Sequence, residues 1–258
     1  MTGERMNGMT LLTLPVEMGD VKVWMAPIQD WSLAEVPLAH PGEVATFATP
    51  KRRSEHLSGR RLLGEALQQW GVTDLTSIEV QRTEHRAPVL THIQGVWRRT
   101  PLPNISVTHS EGYAFVALSP PELQVGLDAE PEDRTLAEQA FDMMAKGDEL
   151  EALRAQPEAV MKSWTAKEAV QKVMRLGMHL NPRSIEIPIG FTKTHISIEK
   201  SKIQLINWTQ FGYILSLATT PSAAPERTTE DDLLEQTRLA MEANPDWGVG
   251  CNTQRNNA

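Results

Sequence analysis

The chain is poor in several things, and each shortage excludes a class of protein. A single cysteine, Cys251, stands among 258 residues, so neither an internal disulfide framework nor a cysteine-built metal cage can hold the fold together. No apolar run approaches the ~20 residues that a membrane-crossing helix needs. Met1–Thr10 carries one basic residue and no apolar block, so a secretory signal is not expected and a cytoplasmic location is. Walker, GxGxxG and GxSxG loops are all missing, and His40, His56, His85, His92, His179 and His195 show no HExxH-like spacing. Positive charge is also in deficit. The net charge is −8, the wrong sign for a general nucleic-acid binder.

What is present suits a globular chain. Apolar residues make up 40% and charged residues 22%, well clear of the disordered range, and the length allows one large domain or two small ones. Residues 221–258 hold 3 basic and 7 acidic side chains, half of the net charge. They are expected to form a mobile acidic tail with at most one short helix over Glu230–Glu242. Against this acidity, Lys51, Arg52, Arg53, Arg60 and Arg61 crowd together with one acid among them, Glu55. Such a run is either a solvated helix face or a site for a phosphorylated ligand.

The apolar spacing of Leu57, Leu62, Leu63, Ala66, Leu67 and Trp70 predicts a helix over Lys51–Trp70, opened by Pro50 and closed by Gly71. Short strands are expected at Leu11–Val16, Val21–Met25 and Ser77–Gln81. A hairpin of Asn104–Thr108 and Tyr113–Leu118 turns at Glu111-Gly112, and Gln124–Asp128 follows as a strand. Helices are predicted over Arg134–Lys146 and Pro157–Leu176, the second ended by Gly177. Ser184–Ile187, Thr194–Glu199, Lys202–Trp208 and Tyr213–Thr219 read as strands, with Lys200-Ser201 a tight turn. A long helix followed by short strands occurs twice, each time ending in a Gly-Tyr strand. The fold class is therefore α+β, with two pseudo-symmetric halves, each a long helix packed on a small antiparallel sheet, at residues 1–120 and 121–220. A ligand is expected between them.

Three constellations could carry chemistry. In Gly126-Leu127-Asp128-Ala129-Glu130 the two acids alternate along a strand and so share a face. They are either solvated at a strand end or bridged by a hard divalent ion. In Trp164-Thr165-Ala166-Lys167-Glu168 through Lys172, the positions of Trp164, Glu168 and Lys172 form one helical stripe. Glu168 and Lys172 are either an exposed ion pair or, beside a buried Trp, partners for a metal and a phosphate. His109 lies among hydroxyl residues in Ser106-Val107-Thr108-His109-Ser110, near the hairpin turn. Three carboxylates, a lysine, a histidine and an arginine-rich helix together suit transfer from a multiply phosphorylated donor.

Val125-Gly126-Leu127-Asp128-Ala129-Glu130 followed by Trp164-Thr165-Ala166-Lys167-Glu168 through Lys172 resembles the paired signature of the 4′-phosphopantetheinyl transferases, (V/I)GxDxE…WxxKExxxK. Ser106–Ser110 resembles that family's S-x-S/T-H-S segment, and Lys51–Arg60 is similar to the helix of its siderophore-synthase branch. The resemblance implies an Sfp-type monomer of two pseudo-symmetric halves, acting in secondary metabolism. Asp128, Glu130 and Glu168 would bind Mg²⁺, and Lys172 would contact the coenzyme A diphosphate. Arg60 and His109 would hold its 3′-phosphate, with Ser110 beside them. Arg86 stands near the family's adenine-side segment, although His85-Arg86-Ala87-Pro88 carries one residue too many. A serine of an apo acyl or peptidyl carrier protein would take the phosphopantetheine arm, with Glu168, Lys172 and Asp128 as the catalytic set. Ala129 between the acids cannot ligate a metal, and Phe141–Ser163 departs from the family pattern. A second reading is a catalytically silent module of the same fold that binds coenzyme A or a carrier protein, and a third is an unrelated α+β protein in which the motifs arose by chance. Neither of the first two involves nucleic acid or membrane.

Overall fold

The computed structural model describes residues 5–6, 8–96, 100–222, 237–239 and 242. The expected tail and its helix therefore lie almost wholly outside the described residues, as does Cys251. Among the described residues no helix is long and apolar enough to cross a membrane.

Chain order runs β1 (Arg5–Met6), β2 (Met9–Leu11), β3 (Lys22–Pro27), α1 (Pro41–Val44), α2 (Pro50–Trp70), β4 (Ile78–Arg82), β5 (Pro88–His92), β6 (Asn104–Ser110) and β7 (Tyr113–Ser119). It continues with β8 (Leu123–Pro131), α3 (Phe141–Met144), α4 (Gly147–Ala155), α5 (Val160–Val173), β9 (Lys193–Ile198), β10 (Ser201–Gln210) and β11 (Tyr213–Pro221). Five strands form an antiparallel sheet in the order β1-β2-β3-β7-β6, and four form a second in the order β8-β11-β10-β9. β4 and β5 pair as a separate ribbon.

Period-two patterning fixes which side chains face where. On β7, Ala114, Val116 and Leu118 pack with Leu62, Leu63, Ala66 and Leu67 of α2, while Phe115 and Ala117 turn to the opposite face. There they meet Leu127, Ala129, Ile206, Leu215 and Leu217 of the second sheet. Ala166, Ala169, Val170 and Val173 of α5 cover that sheet's other face over Ile203, Leu205 and Ala218. The layers therefore run helix, sheet, sheet, helix, and the middle apolar layer belongs to both sheets.

α2 forms as its spacing predicts. Thr49 accepts a hydrogen bond from the Arg52 amide, and Gly71 ends the helix at φ +106°. Elsewhere local pattern yields to context. Leu12–Val16 leaves the sheet after one further bond, Leu12 N to Val23 O, because Pro15 has no donor, yet Leu12, Leu14 and Val16 still enter the inter-sheet core. The helix expected over Arg134–Lys146 breaks into a 3₁₀ turn and the four-residue α3, and α4 starts only at Gly147. Phe141, Met144, Leu150 and Leu153 all bury in one small cluster that a single straight helix would not bring together. Ser184–Ile187 is not a strand. The Ile185 carbonyl accepts from Lys167 Nζ and the Ile187 amide donates to Glu149, so both polar groups are used elsewhere. α5 is reversed by Arg175 at φ +57° rather than by Gly177 alone, and the Arg175 side chain donates to Asn104 Oδ1 at 2.6 Å. β5 goes beyond the sequence reading.

Candidate functional site

The site begins with a missing side chain. A Cβ on Gly126 would lie 2.1 Å from the Ala169 carbonyl oxygen and 2.4 Å from the Val173 nitrogen. Only glycine lets the backbones of β8 and α5 touch. That contact brings α5 over the face of β8 that carries Asp128 and Glu130, while Leu127 and Ala129 point to the core. Glu168 and Lys172, one turn apart, then reach Asp128.

Asp128 is buried, with its side chain 3% exposed. Its Oδ1 accepts from Lys172 Nζ at 2.6 Å and from Thr108 Oγ1 at 3.1 Å. Its Oδ2 is buried with no hydrogen-bond donor. Burial first, and then the Asp128 charge, push the Glu168 carboxyl up to about 7, with Glu130 adding to the rise and Lys172 opposing it. Two carboxyl groups so placed need a shared proton or a cation, and a cation satisfies both at neutral pH. Glu130 is engaged otherwise: its Oε2 accepts from Ser110 Oγ at 2.7 Å and Arg134 Nη1 at 2.6 Å. Among the described residues no three His, Cys, Asp or Glu side chains form a ready-made metal cage. The ready part is the Asp128–Glu168 pair.

A stripe of hydroxyls steadies the acids. β6 and β8 are edge strands of their sheets and lie side by side. Ser106 accepts from the Leu127 amide, Thr108 donates to Asp128 and Ser110 donates to Glu130. Ser110, expected beside the 3′-phosphate, thus spends its hydroxyl on Glu130. The alternation of Ser, Thr and Ser along a strand was visible in the sequence; what it faced was not.

Two cavities open beside this cluster. The first, about 280 Å³, is lined by Arg52, Glu55, His56, Arg60, Arg82 and His109 among others. Arg60 is 4% exposed, and its Nε and Nη2 have no hydrogen-bond acceptor. Its nearest anion is Glu43, 3.6 Å away. Burial and Arg82 pull Arg60 down to about 10, against Glu43, so it stays cationic at neutral pH. Burial and Arg60 lower His56 to about 4. His109 is lowered by burial, while Glu55, 3.7 Å from its Nδ1, acts the other way. A buried cation with unmet donors is a costly arrangement that an anionic ligand relieves. The second cavity, about 240 Å³, shares Arg82, Pro88 and Val107 with the first and adds Arg86, Lys172 and Arg175, with no acid in its lining. Together they form a cationic path from Arg60 to Lys172.

The predicted residues thus gather into one place: Asp128, Glu130, Glu168 and Lys172 in the cluster, Arg60 and His109 in the first cavity, Arg86 in the second. The dense basic run divides. Arg52 and Arg60 line the cavity, whereas Arg61 pairs with Glu65 and lies over Trp31. Sequence reasoning missed Glu43, Arg82, Arg134 and Arg175. A larger hollow of about 920 Å³, between α4 and β9, touches none of the predicted residues.

Residues 124–218 match the family model of the 4′-phosphopantetheinyl transferase superfamily. The matched stretch contains both halves of the acidic cluster, on β8 and α5. Arg60, Arg86 and His109 lie before it. The 4′-phosphopantetheinyl transferase superfamily uses coenzyme A as substrate and typically a divalent metal. No curated protein matches the chain.

Proposed function

We propose that this protein transfers the 4′-phosphopantetheine arm of coenzyme A to a serine hydroxyl of an apo acyl or peptidyl carrier protein. The observation that carries this reading is the unpaired Asp128 oxygen beside Glu168 and Lys172, joined by a cationic cavity to the unmet donors of Arg60. Two adjoining carboxyls, the buried Asp128 and the partly buried Glu168, fit a hard divalent cation such as Mg²⁺. Asp128 and Glu168 would hold it, with Glu130 as a third ligand once freed. When bound, the ion supplies positive charge that neutralises the diphosphate.

The chain's own residues do the rest. Arg60 and His109 hold the 3′-phosphate, and Arg86 flanks the neighbouring cavity. Lys172 offers its ammonium to the diphosphate and to the charge that develops on the leaving group. Glu168 accepts the serine proton as the serine oxygen bonds to the β-phosphorus and the bond from that phosphorus to the departing 3′,5′-ADP breaks. Burial and Asp128 hold the Glu168 carboxyl high in the metal-free chain, and a bound cation would lower it and leave the carboxylate ionised to accept the proton. Thr108 keeps Asp128 aligned.

The same reading takes residues 1–120 and 121–220 as halves of an approximate duplication. In support, β3, α2, β6 and β7 follow the same order as β8, α5, β10 and β11, with matching strand orders β3-β7-β6 and β8-β11-β10. The arginine-bearing α2 supports the siderophore-synthase-like branch, in a monomeric cytoplasmic enzyme of secondary metabolism.

The test is the intact mass of a panel of apo carrier proteins after incubation with this protein, coenzyme A and Mg²⁺. A gain of one phosphopantetheine arm that EDTA abolishes is expected. Coenzyme A binding with no gain on any carrier would favour the silent binding module.

A further inference from the structure

The carboxylate that completes the acidic set is already occupied, and by a cation of the chain itself. Glu130 is enclosed, its side chain 12% exposed, and Arg134 Nη1 and Ser110 Oγ both donate to the same Oε2. Asp128 is held the same way on its Oδ1, by Lys172 and Thr108, and its buried Oδ2 has no donor. The two acids that alternate on one strand face therefore each carry a cation and a hydroxyl of the chain on one oxygen.

We propose that Arg134 is an internal competitor for the divalent cation, a latch that keeps Glu130 out of the metal site until its guanidinium is displaced. This rests on Asp128 and Glu168 as cation ligands. Three observations support it. The guanidinium–carboxylate contact at 2.6 Å is charge-assisted, so a metal approaching Oε2 of Glu130 must exchange for it rather than add to it. Arg134 is 45% exposed and held by a short tether, four residues from Glu130, so it can leave without disturbing the core. It also has a place to go, because Arg134 lines a cavity of about 390 Å³ whose walls include Glu132 and Glu158. The swing exchanges one carboxylate partner for others and leaves no buried charge bare. Ser110 remains on Glu130 in both positions as the pivot.

The consequence is a cation site built in two stages. Asp128 and Glu168 attract the ion, and Glu130 joins only as Arg134 moves off. Arg134 thereby sets how tightly the free protein holds metal, and it is a positioning residue acting through Glu130.

The test uses the full chain without coenzyme A, with Mn²⁺ as the probe and free ion counted by electron paramagnetic resonance at pH 7.5. Arg134→Gln should tighten Mn²⁺ binding by about fivefold, the size of effect that removing one partly exposed ion-pair competitor produces. Arg134→Lys, which keeps the charge but loses the planar fork, should fall between. In a Glu130→Gln background the same Arg134→Gln change should bring no gain. Thermal melts of each variant confirm that the fold is retained. Unchanged or weaker binding in Arg134→Gln, with the unaltered chain still binding, overturns the latch and leaves the proposed reaction standing. A gain that persists in the Glu130→Gln background also overturns it, since the effect would then be a general change of field. No Mn²⁺ binding by any form overturns the cation reading and the latch together.

Discussion

At the residue scale, Glu168 is placed where its ionisation opposes folding. Its carboxyl ordinarily titrates at 4.5 and is pushed up to about 7 by burial and by Asp128. The folded protein therefore binds a proton that the unfolded chain has lost across that interval, so the contribution of Glu168 to stability is fully present below 4.5 and is lost as pH rises through 7. Glu168→Gln should stabilise the metal-free protein at pH 8 by about 2 kcal/mol, with the gain fading by pH 5. Urea unfolding at both pH values checks this, and an equal gain at each would refute it. The same substitution should slow transfer by about 10²–10⁴-fold. A second prediction concerns Arg60. Arg60→Met removes the buried guanidinium, and coenzyme A should then bind at least ~10-fold more weakly while 3′-dephospho-coenzyme A is little affected, the expected loss for one charge-assisted contact; isothermal titration with both ligands distinguishes the outcomes. Residues of this kind were legible because their chemistry stands out in a plain sequence: Asp128 and Glu130 share a strand face and Glu168 and Lys172 lie one helical turn apart, as their spacing implies. Arg82, Arg134 and Glu43 were not, since no local rule says which acid a surface arginine meets across 39 residues, as Arg82 does with Glu43.

At the element scale the β8–α5 contact governs the site. Gly126→Ala would drive a methyl group into the backbone of Ala169 and Val173. It should cost about 3 kcal/mol or more and abolish cation-dependent stabilisation even in whatever fraction stays folded, as thermal shift with and without Mg²⁺ would show. Retained stability would mean that strand and helix can separate. Elements whose signal is local were readable: α2, with Pro50 and Gly71 marking its ends, and the β6–β7 hairpin with its Glu111-Gly112 turn. Elements decided by distant partners were not. Ser184–Ile187 alternates as a strand does, yet the buried Lys167 and Glu149 claim its backbone. Arg134–Lys146 has helical spacing, but the packing of Phe141 and Met144 bends it.

At the scale of the whole molecule, the apolar layer between the sheets is common property. Val23 and Phe115 of one sheet interlock with Leu127, Leu215 and Leu217 of the other, and the Tyr213 hydroxyl donates to the Glu111 carbonyl at 2.8 Å across the seam. Neither sheet keeps its inner face covered alone. The chain should unfold in one transition with coincident probes, and residues 121–222 expressed alone should show no cooperative melt. Two resolved transitions would make the halves independent. Phe115→Ala, at the centre of this layer, should cost about 3–5 kcal/mol and lower the stability of both sheets together. The contact at Gly126 acquires a further meaning here. Side-chain packing elsewhere in the core can drift as substitutions accumulate, because methyl groups yield and rotamers adjust. Main chain resting on main chain does not yield. The spacing between the acid-bearing strand and the helix of Glu168 and Lys172 is thus set by a hard stop rather than a cushion, and it gives the chemistry a fixed datum while the surrounding sequence is free to wander.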